Sequence, residues 1–326
     1  MSLSLIQRAP SRLFAATALL TAAVVLSSGV ASSPAFACAC GCGVFDVGTS
    51  SMFPTGAGGT AYLEYDYQDQ NHNWSGSSKA ANDNNADKEI RTHFFTAGLQ
   101  YMFDRSWGIE VEVPYWDRTF KTDTNFGSDQ ANIVSNQWAD LGDIRVKGIY
   151  TGFSEDLSTG VTYGLKLPTG NYTSNPSVVD RDTQIGTGST DILLGAFHRQ
   201  ALTSDNMWSW FVQGQLDQPV VTREGYRPGT EFDAAAGIHY NGWSVGNLKI
   251  TPVAQIIGSE RTRDSGANSA SPVASGYQRI LLSPGVEFDL NQVSAYADVE
   301  IPVYQHFTGN QVAAPFLLKF IVAYNF

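Results

Sequence analysis

Val293-Ser294-Ala295-Tyr296-Ala297-Asp298-Val299-Glu300-Ile301-Pro302-Val303 places an apolar residue at every odd position. Ser294, Tyr296, Asp298 and Glu300 occupy the even positions between them. Successive side chains of a strand point to opposite faces, so this stretch has one oily face and one polar face. The pattern returns at the end of the chain, where Phe316, Leu318, Phe320, Val322, Tyr324 and Phe326 alternate to the last residue.

Moving back toward the N-terminus, the same period of two recurs. Ala61, Leu63, Tyr65 and Tyr67 stand against Tyr62, Glu64, Asp66 and Gln68. Phe95, Ala97, Leu99, Tyr101 and Phe103 form the next apolar face, and Trp107, Ile109, Val111, Val113 and Tyr115 the one after. Ile144, Val146 and Tyr150 oppose Asp143, Arg145 and Lys147, and Val161, Tyr163, Leu165 and Leu167 oppose Thr162, Gly164 and Lys166. Further strands are expected near 189–200, 208–217, 230–240, 247–257, 277–290, 293–304 and 314–326, about twelve in all. Those near 189–200 and 247–257 alternate poorly, and their facing is not assigned.

The intervals between strands also alternate. Short turns are expected at 104–106, 152–158, 202–207, 241–246 and 291–292. Long polar loops are expected at 69–88, 117–137, 168–188, 218–229, 258–276 and 305–313. Short connections at one end and long ones at the other are the layout of an outer-membrane barrel. Strands of about 9–11 residues suit a tilted crossing. Aromatic residues at the ends of the apolar faces match interfacial girdles. A soluble β-sandwich would alternate too, but here the outward faces carry almost no charge while the polar faces carry both signs. The expected fold is therefore an all-β, transmembrane antiparallel up-and-down β-barrel, in which closure satisfies every backbone N–H and C=O without water. Tyr324 and the terminal Phe326 resemble the assembly signal of bacterial outer-membrane proteins. That implies membrane lipid and the outer-membrane assembly machinery as partners.

Composition agrees. The chain has 326 residues, 43% hydrophobic, 12% aromatic and 16% charged, against about 25% charged in an ordinary soluble domain. Its net charge of −11 offers no basic excess to neutralise phosphates, so nucleic acid is not an expected partner. Residues 1–37 read as a signal peptide, with Arg8 and Arg12 before an apolar run, Leu13 to Val25, and an Ala35-Phe36-Ala37 cleavage site. That run is too short for the roughly 20 residues of a spanning helix. The domain plan is thus 1–37 signal peptide, 38–58 a Cys/Gly-rich segment, and 59–326 the barrel, destined for the bacterial outer membrane.

Two glycine-rich stretches carry a family resemblance. Gly164-Leu165-Lys166-Leu167-Pro168-Thr169-Gly170 is followed, after a polar loop, by Gly186-Thr187-Gly188-Ser189-Thr190-Asp191-Ile192-Leu193-Leu194-Gly195. Together with the ending from Pro302 to Phe326, they resemble the bacterial outer-membrane barrels grouped as a meta-pathway phenol-degradation or transporter family. The resemblance implies a channel-like barrel for small aromatic or hydrophobic compounds, although family membership does not fix function. Read as local structure, Pro168 ends a strand because it cannot donate to the ladder. Gly186 and Gly188 let the chain re-enter the next strand.

The polar faces predict which residues line the lumen. They are Glu64 and Asp66; Glu110 and Glu112; Asp143, Arg145 and Lys147; Lys166; Glu231 and Asp233; Arg279 and Glu287; Asp298 and Glu300; and Lys319. Neighbouring strands should pair Glu110 and Glu112 with Arg145 and Lys147, and gather Asp298, Glu300, Lys319, Glu64 and Asp66. Such pairs relieve the cost of burying charge. They would either hold the interior together or form a polar constriction biased toward cations or neutral solutes. A barrel of about eight strands is filled with side chains and one of 16–18 is open; twelve falls between.

Cys38, Cys40 and Cys42 are the only cysteines. Disulfides among them would be strained at this spacing. Three readings remain open: a redox-exposed or intermolecular cluster, a soft-metal site for Cu(I) supplied by a periplasmic metal or redox partner, and lipidation of Cys38. No other cofactor is expected. Val44, Phe45, Met52 and Phe53 are apolar enough to favour a plug over a dangling tail. The five histidines, His72, His93, His198, His239 and His306, show neither a His-Ser pairing of the phospholipase kind nor a metal-ligand spacing, so no enzyme is expected. Filled structural barrel and outer-membrane hydrolase stand as the alternatives to a channel.

Overall fold

The computed structural model describes residues 53–54, 56–267 and 274–326. The proposed signal peptide, the three cysteines and most of segment 38–58 lie outside the described residues. The strands are β1 (Gly58–Gln70), β2 (His72–Gly76), β3 (Ser78–Lys79), β4 (Asp87–Met102), β5 (Trp107–Asp123), β6 (Ile133–Leu141), β7 (Arg145–Tyr150), β8 (Thr159–Lys166), β9 (Thr190–Ala201), β10 (Trp208–Val221), β11 (Glu231–Tyr240), β12 (Trp243–Val245), β13 (Leu248–Arg261), β14 (Tyr277–Leu290), β15 (Val293–Ala313) and β16 (Leu317–Asn325).

All neighbouring strands run antiparallel, and the sheet closes on itself because β1 pairs with both β4 and β16. Among the described residues there are twelve staves, with β6 and β7 sharing one. The closing register sets Leu63 opposite Val322 and Tyr65 opposite Phe320. At the seam, Gly59 and Phe326 exchange two backbone hydrogen bonds of 2.8 Å.

The outer surface is apolar. Leu63, Leu99, Leu194, Leu282 and Val322 are each about half exposed. That surface would be costly in water, at roughly 25 cal/mol per Å², and belongs against hydrocarbon. The odd-numbered faces expected from the sequence are the ones turned outward on β1, β4 and β5. Aromatic pairs ring the turn end, with Trp107 and Tyr150 at 4.5 Å and Trp208 and Tyr240 at 4.9 Å.

Three of the expected long loops are shorter than the sequence implied, whereas 168–188 is a loop between β8 and β9 as expected. β5 and β6 stay paired from Tyr115↔Leu141 to Asp123↔Ile133, through most of the stretch expected as loop 117–137. β13 likewise runs on to Arg261, and β15 to Ala313. A strand that has left the lipid can be polar on both faces, so its ladder continues after its hydrophobic alternation has vanished. The first loop holds a small hairpin, β2–β3, which docks on the far part of β15.

Two irregularities shape the interior. The β6–β7 stave breaks at 142–144, opposite Pro114 of β5, whose missing N–H interrupts the ladder; Gly142 N donates to Pro114 O at 2.9 Å. β15 and β16 are paired only from Val293↔Tyr324 to Glu300↔Leu317, beyond which β15 continues against β14. Where an inward aromatic lies flat on the wall, its partner is glycine. A Cβ on Gly98 would stand 2.0 Å from the Tyr62 ring that crosses it.

Candidate functional site

The interior is layered. Near the turn end it is aromatic and aliphatic, with Tyr62, Phe211, Val253, Ile257, Tyr296 and Ile321 buried together. Phe53, from the end of segment 38–58, enters this layer; its ring lies 5.2 Å from Phe197 and 5.9 Å from Phe211. Arg199 holds the incoming backbone by donating to Pro54 O at 2.9 Å.

Above that layer stand three lysines, each gripping two carboxylates. Lys319, fully buried, lies 3.0 Å from Glu64 and 3.4 Å from Asp66. Lys147 lies 2.9 Å from Glu110 and 2.8 Å from Glu112, and Tyr62 donates its hydroxyl to both acids. Lys166 pairs with Asp191 and, at 3.0 Å, with Asp217. Each triad sets one ammonium against two carboxyl groups in a medium where unpaired charge is expensive.

The other residues expected in the lumen lie on the same inner surface. Arg145 reaches Glu112 at 3.8 Å. Asp298 accepts from Ser283, Tyr296 and Gln255. Glu231 accepts from Tyr277, and the Arg279 guanidinium lies 5.1 Å from the Tyr277 ring centre. Asp233, Glu287 and Glu300 are buried. Tyr324 and Phe326 lie on the outside, their rings stacked at 6.3 Å.

Asp143 has a different role. It sits in the 142–144 break and accepts from Gly170 N at 2.9 Å and from both the N–H and the hydroxyl of Thr187. The two glycine-rich stretches therefore meet on one carboxylate. They meet closely, since a Cβ on Gly186 would lie 2.2 Å from Gly170 O. This knot closes the base of loop 171–185 and folds it into the lumen. Arg118, fully buried, receives it by donating to Thr183 O at 2.6 Å and Gln184 O at 3.2 Å. Arg181 of the loop lies between two rings, 4.7 Å from Tyr172 and 4.4 Å from Tyr226.

Beneath the loop lies a chamber of about 120 Å³. The loop contributes Arg181, Asp182 and Ile185, and the walls contribute Phe94, Trp116, Glu64 and Asp233 among others. A small cavity of about 20 Å³ lies behind the parted β15–β16 seam, where Pro302, Gln305 and Leu317 line it.

Sequence reading did not find Asp191, Asp217, Arg118, Arg181 or Arg261. Asp191 lies on the strand whose alternation was too poor to face, and Arg118 and Arg261 lie in stretches expected to be loop. Two of the histidines are structural partners, while Nε2 of His239 is buried without a hydrogen bond. His93 meets the Tyr65 hydroxyl at 2.9 Å and His198 meets Thr159 at 2.8 Å. Ser77 and His306 do come within 2.9 Å, through Nδ1, at an exposed contact of the β2–β3 hairpin. Among the described residues no hydrogen bond orients the other ring nitrogen, as a nucleophilic serine requires.

The closed antiparallel sheet, the apolar exterior and the charged interior define the chain as a β-barrel of the outer-membrane kind. No family model matches it, and no curated protein matches it. Among solved structures it resembles the outer membrane channel from Pseudomonas putida F1, with a TM-score of 0.63 and 12% identity over 87% of this chain and 100% of that one. A Pseudomonas aeruginosa FadL homologue aligns with a TM-score of 0.41 and 8% identity over 82% of this chain and 90% of that one. The Ralstonia pickettii toluene transporter aligns with a TM-score of 0.40 and 9% identity over 88% of this chain and 96% of that one. The first likeness establishes the barrel fold. The other two are too loose to carry an argument.

Proposed function

We propose that this barrel lies in the bacterial outer membrane and passes small solutes. The observation that carries the reading is the chamber at mid-height, entered past a loop that folds into the lumen and is pinned by Asp143 and Arg118. A purely structural barrel has no need to tie a loop inside itself around a cavity lined by charged and aromatic side chains. Phe94, Trp116 and Tyr226 on the chamber wall, together with the sequence resemblance to the meta-pathway phenol-degradation family, make small aromatic compounds the first solutes to test. The parted β15–β16 seam offers apolar solutes a sideways path into lipid. Residues 1–37 would serve as the export signal, and Tyr324 and Phe326 would be read by the assembly machinery. Segment 38–58 would act as a plug held by Phe53. No enzymatic step is part of this reading.

Purified protein in planar bilayers should conduct, and liposomes containing it should swell in small neutral solutes. A form lacking residues 38–54 should conduct more. Absence of current and of swelling in both forms overturns the proposal in favour of a filled barrel. A second reading rests on Phe53: it docks at the turn end, and Cys38, Cys40 and Cys42 precede it by eleven to fifteen residues. In this reading the three cysteines would receive Cu(I) from a periplasmic metal-donating partner.

A further inference from the structure

We infer that the chamber selects small organic cations, protonated amines carrying an aromatic or aliphatic body, over neutral or anionic molecules of the same shape. The inference rests on the channel reading above and names the solute class.

Eight carboxylates and four basic groups line the chamber. Three of the four basic groups are held by carboxylates. Lys166 is held by Asp191 and Asp217, Arg145 faces Glu112, and Arg261 donates to Asp264 at 2.8 Å. Arg181 donates to Thr187 O and is covered by the rings of Tyr172 and Tyr226, although its Nε and Nη1 make no hydrogen bond. Several acids are different. Oε2 of Glu64, Oδ1 of Asp217 and Oδ1 of Asp233 are buried and accept no hydrogen bond from the chain. Glu64 is 3% exposed and Asp233 8%. A carboxylate oxygen that lacks a donor from the chain takes one from water or from a ligand.

Their placement suits a ligand rather than a bound metal. Glu64 stands on β1, whereas Asp217 and Asp233 stand on β10 and β11, across the barrel. Among the described residues no three metal-ligating side chains converge on one point. A diffuse field of acceptors with an aromatic wall is what an ammonium group on an organic body would meet. The T-shaped Phe94–Trp116 pair, 4.8 Å between centroids, offers the body a flat surface beside that field.

The test uses the mature protein in detergent micelles and three probes with one ring: benzylamine, benzyl alcohol and benzoate. Titration calorimetry should show benzylamine binding at least about tenfold more tightly than the other two. Asp233→Asn and Glu64→Gln should each remove most of that preference. Heat-modifiable mobility confirms that both variants are folded, and binding of benzyl alcohol by the variants serves as a second check. In bilayers, benzylamine should block or carry current where benzoate does not. Equal binding of all three probes overturns charge selection while leaving the aromatic-solute reading intact. Conductance with no probe binding overturns the inference but not the channel. An unchanged preference in both folded variants overturns the assignment to these carboxylates.

Discussion

The ammonium of Lys319 stands 3.0 Å from Oε1 of Glu64, although the two residues are 255 positions apart. They lie on β16 and β1, the first and last strands, so this contact spans the closing seam from the inside. Asp66 completes the triad at 3.4 Å.

Removing the cation should weaken closure. Lys319→Met leaves two buried acids without their partner, and breaking a buried pair from one side costs about 3–5 kcal/mol. The expected result is a lower temperature for loss of heat-modifiable mobility, with partial rescue when Glu64→Gln and Asp66→Asn are added. A wild-type transition would show that the triad is not the seam's support.

Asp143→Ala should release the loop without unfolding the barrel. The carboxylate accepts three hydrogen bonds, and bonds to a charged group contribute about 1.5–3 kcal/mol each. Limited trypsin digestion should then cut at Arg181, and single-channel conductance should rise. Continued protection of Arg181 would place the pin elsewhere, with Arg118 the next to test.

Loop docking should tighten in acid. Burial raises the Asp180 carboxyl from 3.8 to about 6, and Asp87 is its acidic neighbour. The docked loop therefore binds this proton more tightly than the released loop does. Its advantage is complete below about pH 4, is lost as pH rises to about 6, and is level above that. Gating events in bilayers should be rarer at loop-side pH 5 than at pH 7, and Asp180→Asn should abolish the difference. An identical pH response in Asp180→Asn would assign the effect to another group.

Phe53→Ala should loosen the N-terminal segment. The ring is buried against Phe197 and Phe211, and losing a buried phenyl costs about 3–5 kcal/mol. Faster proteolysis N-terminal to Gly58 and larger conductance are expected, with barrel stability little changed. No change in either would mean that Arg199 and Pro54 hold the segment without the ring.

Copper titration checks the cysteine reading. Wild type should bind Cu(I) that a Cys38→Ser, Cys40→Ser, Cys42→Ser variant does not. Equal stoichiometry ends the metal hypothesis.

Much of this molecule was legible in its residues. The outward faces of β1, β4 and β5 follow from period-two alternation, because strand geometry fixes facing between adjacent residues. Lys147 with Glu110 and Glu112 followed from strand adjacency alone. The reach of β5 and β6 beyond the lipid did not, since a polar ladder and a polar loop have the same composition. Asp191 was hidden by the poor alternation of its strand.

The amino-acid order by itself determined that the chain forms strands with an oily side and a charged side, and that about twelve staves make the wall, because those properties are local. Tertiary structure alone decided that Asp143 joins Gly170 to Thr187, that Arg118 draws loop 171–185 inward, and which carboxylates are left without donors. Each of those depends on contacts between residues distant in the chain, made only once the sheet has closed and set its register.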